Sequence, residues 1–331
     1  MQGALATFTE VTLIDSTILR LHKLLAKRYP GPRTNHSPAA LKLNVAINVK
    51  KGRIHKAQIT EGTRAETKLF HPGAWLAGHL LMFDLGYFKL QKFWQIDHHG
   101  GLFISRLKDN CNPTIVRVLS THRGRAIDLA GKKLKDVLGL LHREVLDCEI
   151  VYRVSRKGLP GRPAKEKTVE LTLRLVAVLN KETGKYHIYV TNIPPERMDA
   201  TDVAETYRLR WFVEIFMKEM RSVGGLDDWP NRKEPAVLAG IYATLLGMVV
   251  NRRLLLELEA RLKARPDVAR RYIPSLRWSM VFAAHARLLL DLILDRVQHE
   301  HRQIQSVIAM LLYEATEPMR RKPRLEARFS R

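Results

Sequence analysis

The sequence predicts an α/β fold with a mixed sheet in its first half, a β-rich stretch in its middle and a helical C-terminal region. Three observations carry this. Runs rich in branched residues at 10–20, 41–49 and 53–60 are separated by turn residues, the last two by Lys50-Lys51-Gly52, which reads as an antiparallel meander. After a short helical region at about 64–79, the apolar run at 80–84 ends on a carboxylate and turns at Gly86 into a helix over about 87–93, the strand–turn–helix order of open α/β sheets. Past Pro230, helical patterns occupy 235–264, 278–299 and 302–313. Between these halves, 150–154, 169–178 and 186–191 favour strands, the last two joined across a turn at 180–184.

Composition narrows the partners. A chain of 331 residues is long enough for one large domain or two ordinary ones, and 46% apolar with 27% charged residues is globular usage. The exceptional quantity is a net charge of +23, which points to a polyanion, either nucleic acid or an acidic membrane face. Two cysteines, Cys111 and Cys148, make no disulfide framework and no CxxC metal site, so a reducing cytoplasm is expected. Residues 1–10 carry no signal-peptide pattern. The longest apolar stretch, 236–250, falls short of the roughly 20 residues needed to span a bilayer and reads as a buried core helix.

The candidate chemistry lies on three segments. Residues 207–223 form an amphipathic pattern, opened by Asp199 as a cap and closed by Gly224-Gly225. At about 100° per residue, Tyr207, Arg210, Glu214 and Arg221 share an arc of roughly 60°, with Leu209, Phe212, Val213, Phe216 and Met220 opposite. A solvated helix face has this look too. Asp15 stands inside a β-type run, as a strand-end cap or as a ligand, and Asp84 ends the 80–84 strand, as a helix N-cap or as a ligand. A basic loop holding Arg153, Arg156, Lys157, Arg162, Lys165 and Lys167 is either solvated or tracks phosphates.

Together these segments resemble the DDE transposases of bacterial insertion sequences, in the "insertion sequence four" family. Tyr207, Arg210, Glu214 and Arg221 are spaced like that family's Y-R-E-K signature, with Arg in place of the final Lys, which keeps the charge but not the compact ammonium. Ile14-Asp15-Ser16-Thr17 resembles the segment bearing the first catalytic Asp. Phe83-Asp84-Leu85-Gly86-Tyr87-Phe88 resembles the second-Asp motif, and residues 102–108, with Arg106 and Lys108, resemble the strand after it. The Arg210-Trp211 pair is similar as well. The resemblance covers roughly residues 10–225.

The resemblance implies an RNase H-like mixed sheet. Residues 1–110 would form its first part, 111–197 a β-rich insertion between the second Asp and the Glu, and 198–230 the Glu helix. A helical C-terminal region at 231–318 and a basic tail at 319–331 would follow. Asp15, Asp84 and Glu214 are implied as catalytic residues holding two Mg²⁺ or Mn²⁺ ions, which all-oxygen ligands suit. Tyr207, Arg210, Arg221, Trp211, Arg106 and Lys108 are implied to bind DNA. The implied partners are the element's terminal inverted repeats, target DNA and a second copy of the chain on DNA, in a bacterial cytoplasm and near the nucleoid, with no membrane. Two other readings share these residues: a shortened, non-catalytic DNA-binding derivative, and an RNase H-like DNA nuclease. Many family members place an end-binding region ahead of the first Asp, so a short member or an incomplete product is a further expectation.

Overall fold

The structure is a computed structural model, and it describes residues 5–33, 37–121, 127–141, 143–155, 168–226, 231–264, 271–294 and 301–318. The basic tail at 319–331 and most of the basic loop, 156–167, lie outside the described residues. The chain divides into two compact units, one of residues 1–16, 44–50 and 64–211, the other of 17–43, 51–63 and 212–331.

The first unit is built on a mixed sheet, as the sequence predicts. Its described strands are parts of β1 (Glu10–Arg20) and β2 (Ala40–Asn48), then β4 (His79–Phe83), β5 (Leu102–Arg106), β6 (Thr114–Val118), β7 (Val145–Ser155), β8 (Thr168–Asn180) and β9 (Lys185–Thr191). Their order is β2-β1-β4-β5-β9-β8-β7-β6. β4 runs parallel to β1 and β5 parallel to β4, whereas β9, β8, β7 and β6 follow as antiparallel neighbours. The strands of the 111–197 segment therefore extend the central sheet directly, with Arg106 opposite Tyr189 and Ile104 opposite Thr191. Gly184, at φ 66°, makes the predicted turn between β8 and β9.

The helices here differ from those the sequence suggests. The region at 64–79 forms only two single 3-10 turns, Glu66–Lys68 and Ala74–Leu76, because Pro72 and Gly73 interrupt it. The helix expected over 87–93 forms later, as α1 (Leu90–His98), preceded by a 3-10 turn at Leu85–Tyr87. A short α2 (Leu134–Leu138) follows. The helix expected over 207–223 is broken: α3 (Ala200–Tyr207), capped by Asp199 through Asp202 N at 2.7 Å, passes through a 3-10 turn at Arg208–Arg210 into α4 (Trp211–Ser222). Leu209, fully buried, occupies the middle of that turn. The tighter turn alters the angles counted for one continuous helix.

The core of this unit is aromatic beneath the second aspartate. Phe83 meets both Phe93 of α1 and Phe103 of β5, in near-parallel pairs at 5.8 and 6.2 Å, and Phe93 stacks on Phe103 at 4.3 Å. Such pairs contribute about 0.5–1.5 kcal/mol beyond their buried area. The residue before Asp84 is thus one of the most firmly held in the sheet.

The second unit contains β3 (Arg53–Glu61), the remaining parts of β1 and β2, and the helices α5 (Glu234–Lys263), α6 (Ser275–Ala284), α7 (Ala286–Ile293) and α8 (His301–Ala315), with a short ladder of β10 (Arg271–Tyr272) and β11 (Glu317–Pro318). Its core gathers Leu255, Leu258 and Leu262 of α5 around Trp278, with Leu289, Leu311 and Leu312. The indole N–H of Trp278 donates to the Asn251 carbonyl at 3.0 Å. The sequence predicts α5 as a buried core helix, and here the structure differs. Val237, Ile241, Leu245 and Met248 face inward at helical spacing, whereas Tyr242, Leu246, Val249 and Val250 are exposed. Only 28% of its most apolar 18-residue window is buried, and by length and composition alone the helix could cross a membrane. It is one-sided because the other elements of its unit cover a single face.

Candidate active site

β1 and β4 bring the two aspartates together. Ile14 pairs with Phe83 in the parallel ladder, so the next residues, Asp15 and Asp84, stand on adjacent strands where β4 ends, with the strands about 4.8 Å apart. Asp84 occupies the N-cap position of the Leu85–Tyr87 turn, but its side chain makes no capping hydrogen bond. Of the two roles open to it, capping is therefore not the one adopted.

The electrostatics of Asp15 show a site crowded with carboxylates. Burial pushes its carboxyl up from 3.8 to about 6. A hydrogen bond from Ser16 N at 2.8 Å and the Arg210 guanidinium at 3.8 Å pull the other way, while the charges of Asp84 and Glu66 push it further up. Glu66 is a third acid beside Asp15 and Asp84. Its carboxylate accepts from Ser16 Oγ at 2.5 Å and rests against Gly86, where a Cβ would lie 1.7 Å from Oε2. Gly86 is required for that close approach, not for a special backbone angle. Below them the Tyr87 hydroxyl accepts from Asn44 Nδ2 at 2.9 Å, and burial, with the charges of Glu66, Asp15 and Asp84, holds its phenol well above the usual range.

The residues on the helical segment have separate placements. Tyr207 is buried, its hydroxyl donates to the Phe83 carbonyl at 3.3 Å, and its ring meets Tyr189 at 5.2 Å. The phenol is a strut under the end of β4. Arg210 reaches from Asp15 to the Tyr207 ring face, 6.0 Å from its centroid. Arg106 is exposed opposite Tyr189, and Lys108 lies 5.6 Å over the Phe88 ring. Trp211 is 55% exposed at the start of α4. Glu214, in the first turn of α4 and half-buried, and Arg221, exposed in its last turn, belong to the second unit.

With this geometry in place, the chain can be set beside known proteins. Residues 6–249 match the family described as the transposase DDE domain. The chain belongs to that family. Relatives of this transposase DDE domain include the transposase for insertion sequence element IS231E of Bacillus thuringiensis subsp. finitimus, 26% identical over 270 residues, with 74% of this chain and 56% of the relative covered. The transposase for insertion sequence element IS1151 of Clostridium perfringens is 22% identical over 267 residues, covering 74% and 56%. The chain thus spans little more than half the length of these relatives. A solved piggyBac transposase synaptic complex with hairpin DNA aligns over 91% of this chain and 57% of that chain, at 10% identity and a TM-score of 0.41.

For a transposase DDE domain, the donor set around Asp15 has a plain chemistry. It offers oxygen atoms only; burial chiefly raises the Asp15 carboxyl, the charges of Asp84 and Glu66 add to the rise, and Arg210 opposes it. Hard divalent cations fit such a pair. Among the described residues no group of three or more His, Cys, Asp or Glu side chains is disposed to hold a metal ion. Asp15 and Asp84 are brought together within one unit, whereas Glu214 is carried on the other.

Sequence reasoning missed Ser16, Glu66, Asn44 and Tyr87. Ser16 and Tyr87 lie within the two aspartate motifs, so the signal was adjacency. Glu66 and Asn44 carry no local signal, because only the packing of their turn and strand brings them to the site. Arg208 was missed too. With Arg106 it lowers the Tyr189 phenol against the larger effect of burial, which marks a third guanidinium, after Arg106 and Arg210, beside the Tyr189–Tyr207 pair.

Proposed function

We propose that this chain is the catalytic part of an insertion-sequence DNA transposase, nicking its element's terminal inverted repeats and joining the freed ends to target DNA. The observation that carries the reading is that Asp15 and Asp84 each follow directly on the Ile14–Phe83 pair of neighbouring parallel strands, close enough for Asp84's charge to raise the Asp15 carboxyl, in a transposase DDE domain. Asp15 and Asp84, joined by Glu214 as the resemblance implies, would hold Mg²⁺ or Mn²⁺, two ions in this reading. When bound, such a pair neutralises phosphate charge and activates the attacking oxygen for in-line displacement at phosphorus. The chain's own groups do the positioning. Arg210 and Arg106 present guanidinium forks to DNA phosphates, with Lys108 and Arg221 adding charge along the track. Trp211 offers an exposed ring on which an unstacked base can lie, and Tyr207 keeps Asp84 at its height by bonding the preceding carbonyl. A homodimer on DNA and a place in the bacterial cytoplasm at the nucleoid belong to the same reading.

The test is cleavage of end DNA with Mg²⁺ or Mn²⁺. Asp84→Asn and Glu214→Gln are each expected to lower the rate by about 10³-fold or more while end binding stays within a few-fold. A variant that still nicks at the parent rate removes that residue from the assignment. Arg210→Ala is expected to weaken binding and to reduce the slope of log affinity against log salt by about 1, the effect of one lost phosphate contact. An unchanged slope, measured by anisotropy titrations between low and physiological salt, would show that Arg210 does not touch phosphate.

A further inference from the structure

The second unit holds a buried charged node that the proposed chemistry does not use. Glu219 lies on α4, five residues beyond Glu214 and so about 140° around the helix from it. Its side chain is fully buried. Ser275 Oγ, at the start of α6, donates to Glu219 Oε1 at 2.6 Å, and Arg252 of α5 pairs with Oε2. Arg252 also donates to Ser275 Oγ and lies 5.6 Å over the ring of Phe216, one turn back on α4. Ser279, a turn further along α6, hydrogen-bonds Glu219 as well and accepts from Asn251 Nδ2 at 3.3 Å. One carboxylate thus ties α4 to both α5 and α6.

The end of α4 is held to α5 by a second contact. Thr244 Oγ1 donates to the Gly224 carbonyl at 3.2 Å, and a Cβ on Gly224 would lie 2.5 Å from the Thr244 methyl. Two points of attachment along one short helix fix its rotation about its own axis. Removing one partner of a buried ion pair strands the other, so the node holds one arrangement strongly. An apolar seam would restrain α4 less specifically, because neighbouring rotations of a helix bury similar area.

We propose that Glu219, locked by Arg252, Ser275 and Ser279, is a positioning residue that sets the rotation of α4 and hence the direction in which Glu214 is presented. The inference rests on the functional reading above, in which Glu214 joins the catalytic acids. It adds that the helical bundle of the second unit orients that acid. Misplacing a catalytic group by about 1 Å can cost about 100-fold in rate.

The experiment compares the parent chain of 331 residues with Glu219→Ala, Arg252→Met and the double variant. Three quantities are read: the single-turnover cleavage rate at saturating end DNA with Mn²⁺, end-DNA affinity without divalent metal, and hydrogen exchange of the 212–222 amides. Glu219→Ala is expected to slow cleavage by about 10-fold or more, with affinity within about threefold and α4 exchange faster by about 10-fold. The double variant is expected to be no worse than the worse single variant, because both changes break one node and the double change strands no charge. Arg252, partly exposed, gives a second route to the same result if Glu219→Ala does not fold. Unchanged cleavage and exchange in Arg252→Met, or losses that multiply in the double variant, would overturn the proposal. If the parent does not cut end DNA, the functional reading fails, and the exchange measurement still decides whether Glu219 and Arg252 hold α4.

Discussion

Asp15→Asn is expected to yield a protein that is more stable than its parent at neutral pH and, under the function proposed above, unable to cut DNA. Burial, then the charges of Asp84 and Glu66, raise the folded carboxyl from 3.8 to about 6, against the pull of Ser16 N and Arg210. Between about pH 4 and pH 6 the folded state binds more protons than the unfolded chain, so stability falls as pH rises through that window. Below it the neutral carboxyl contributes its full share, and above it that share is lost. A shift of this size corresponds to about 1–3 kcal/mol, which the neutral amide should recover. Urea unfolding of metal-free protein at pH 4 and pH 7.5 checks this: the advantage of Asn should be near zero at the lower pH and full at the higher. A gap that stays constant would mean that Asp15 is not destabilised by its surroundings. Saturating Mg²⁺ should narrow the gap for the parent alone, because a cation bound at the carboxylates removes the same repulsion.

Asp147→Ala is expected to cost about 3–5 kcal/mol of stability. Asp147 on β7 and Arg174 on β8 form a two-pronged pair at 2.8 and 2.7 Å, with side chains 7% and 4% exposed. Arg174 also donates to the carbonyls of Ile193, at 3.2 Å, and Met198, at 2.6 Å. Those two acceptors flank the passage from β9 into α3, so the guanidinium anchors the chain just before the Tyr207 strut. Alanine at 147 leaves a buried cation with no counter-charge. Replacing both partners by apolar residues, as in Asp147→Leu with Arg174→Met, should recover much of the loss, because no charge is then stranded. Urea midpoints of the parent and the two variants decide it. A double variant no more stable than Asp147→Ala would place the cost in packing, not in the unpaired charge.

The parts of the fold legible in the sequence were those with local causes. Branched runs became β2 and β3 within a residue of their expected ends, and Gly184 turned β8 into β9 as its position required. Asp15 and Asp84 were singled out because each carboxylate sits oddly in an apolar strand. What failed failed locally too. The 207–223 pattern concealed the 3-10 turn at Arg208–Arg210, since an interruption of one turn leaves apolar spacing almost unchanged. Tyr207, expected to face DNA, is held inward by Phe83 and Tyr189. The outward face of α5 could not be told from its inward face, since both are apolar.

By itself the sequence determined the α/β class, the basic charge, the identity of the two neighbouring aspartates and the resemblance to a DDE transposase, which family membership bears out. Each of these is written in residue type and short-range spacing, where periodicity and side-chain chemistry act directly. Only the tertiary structure decided that Ile14 and Phe83 share a register, that Glu66 reaches Ser16 past Gly86, and that Glu219 is sealed between three helices. These contacts join residues tens of positions apart, and their energies exist only once the backbone has closed the distance.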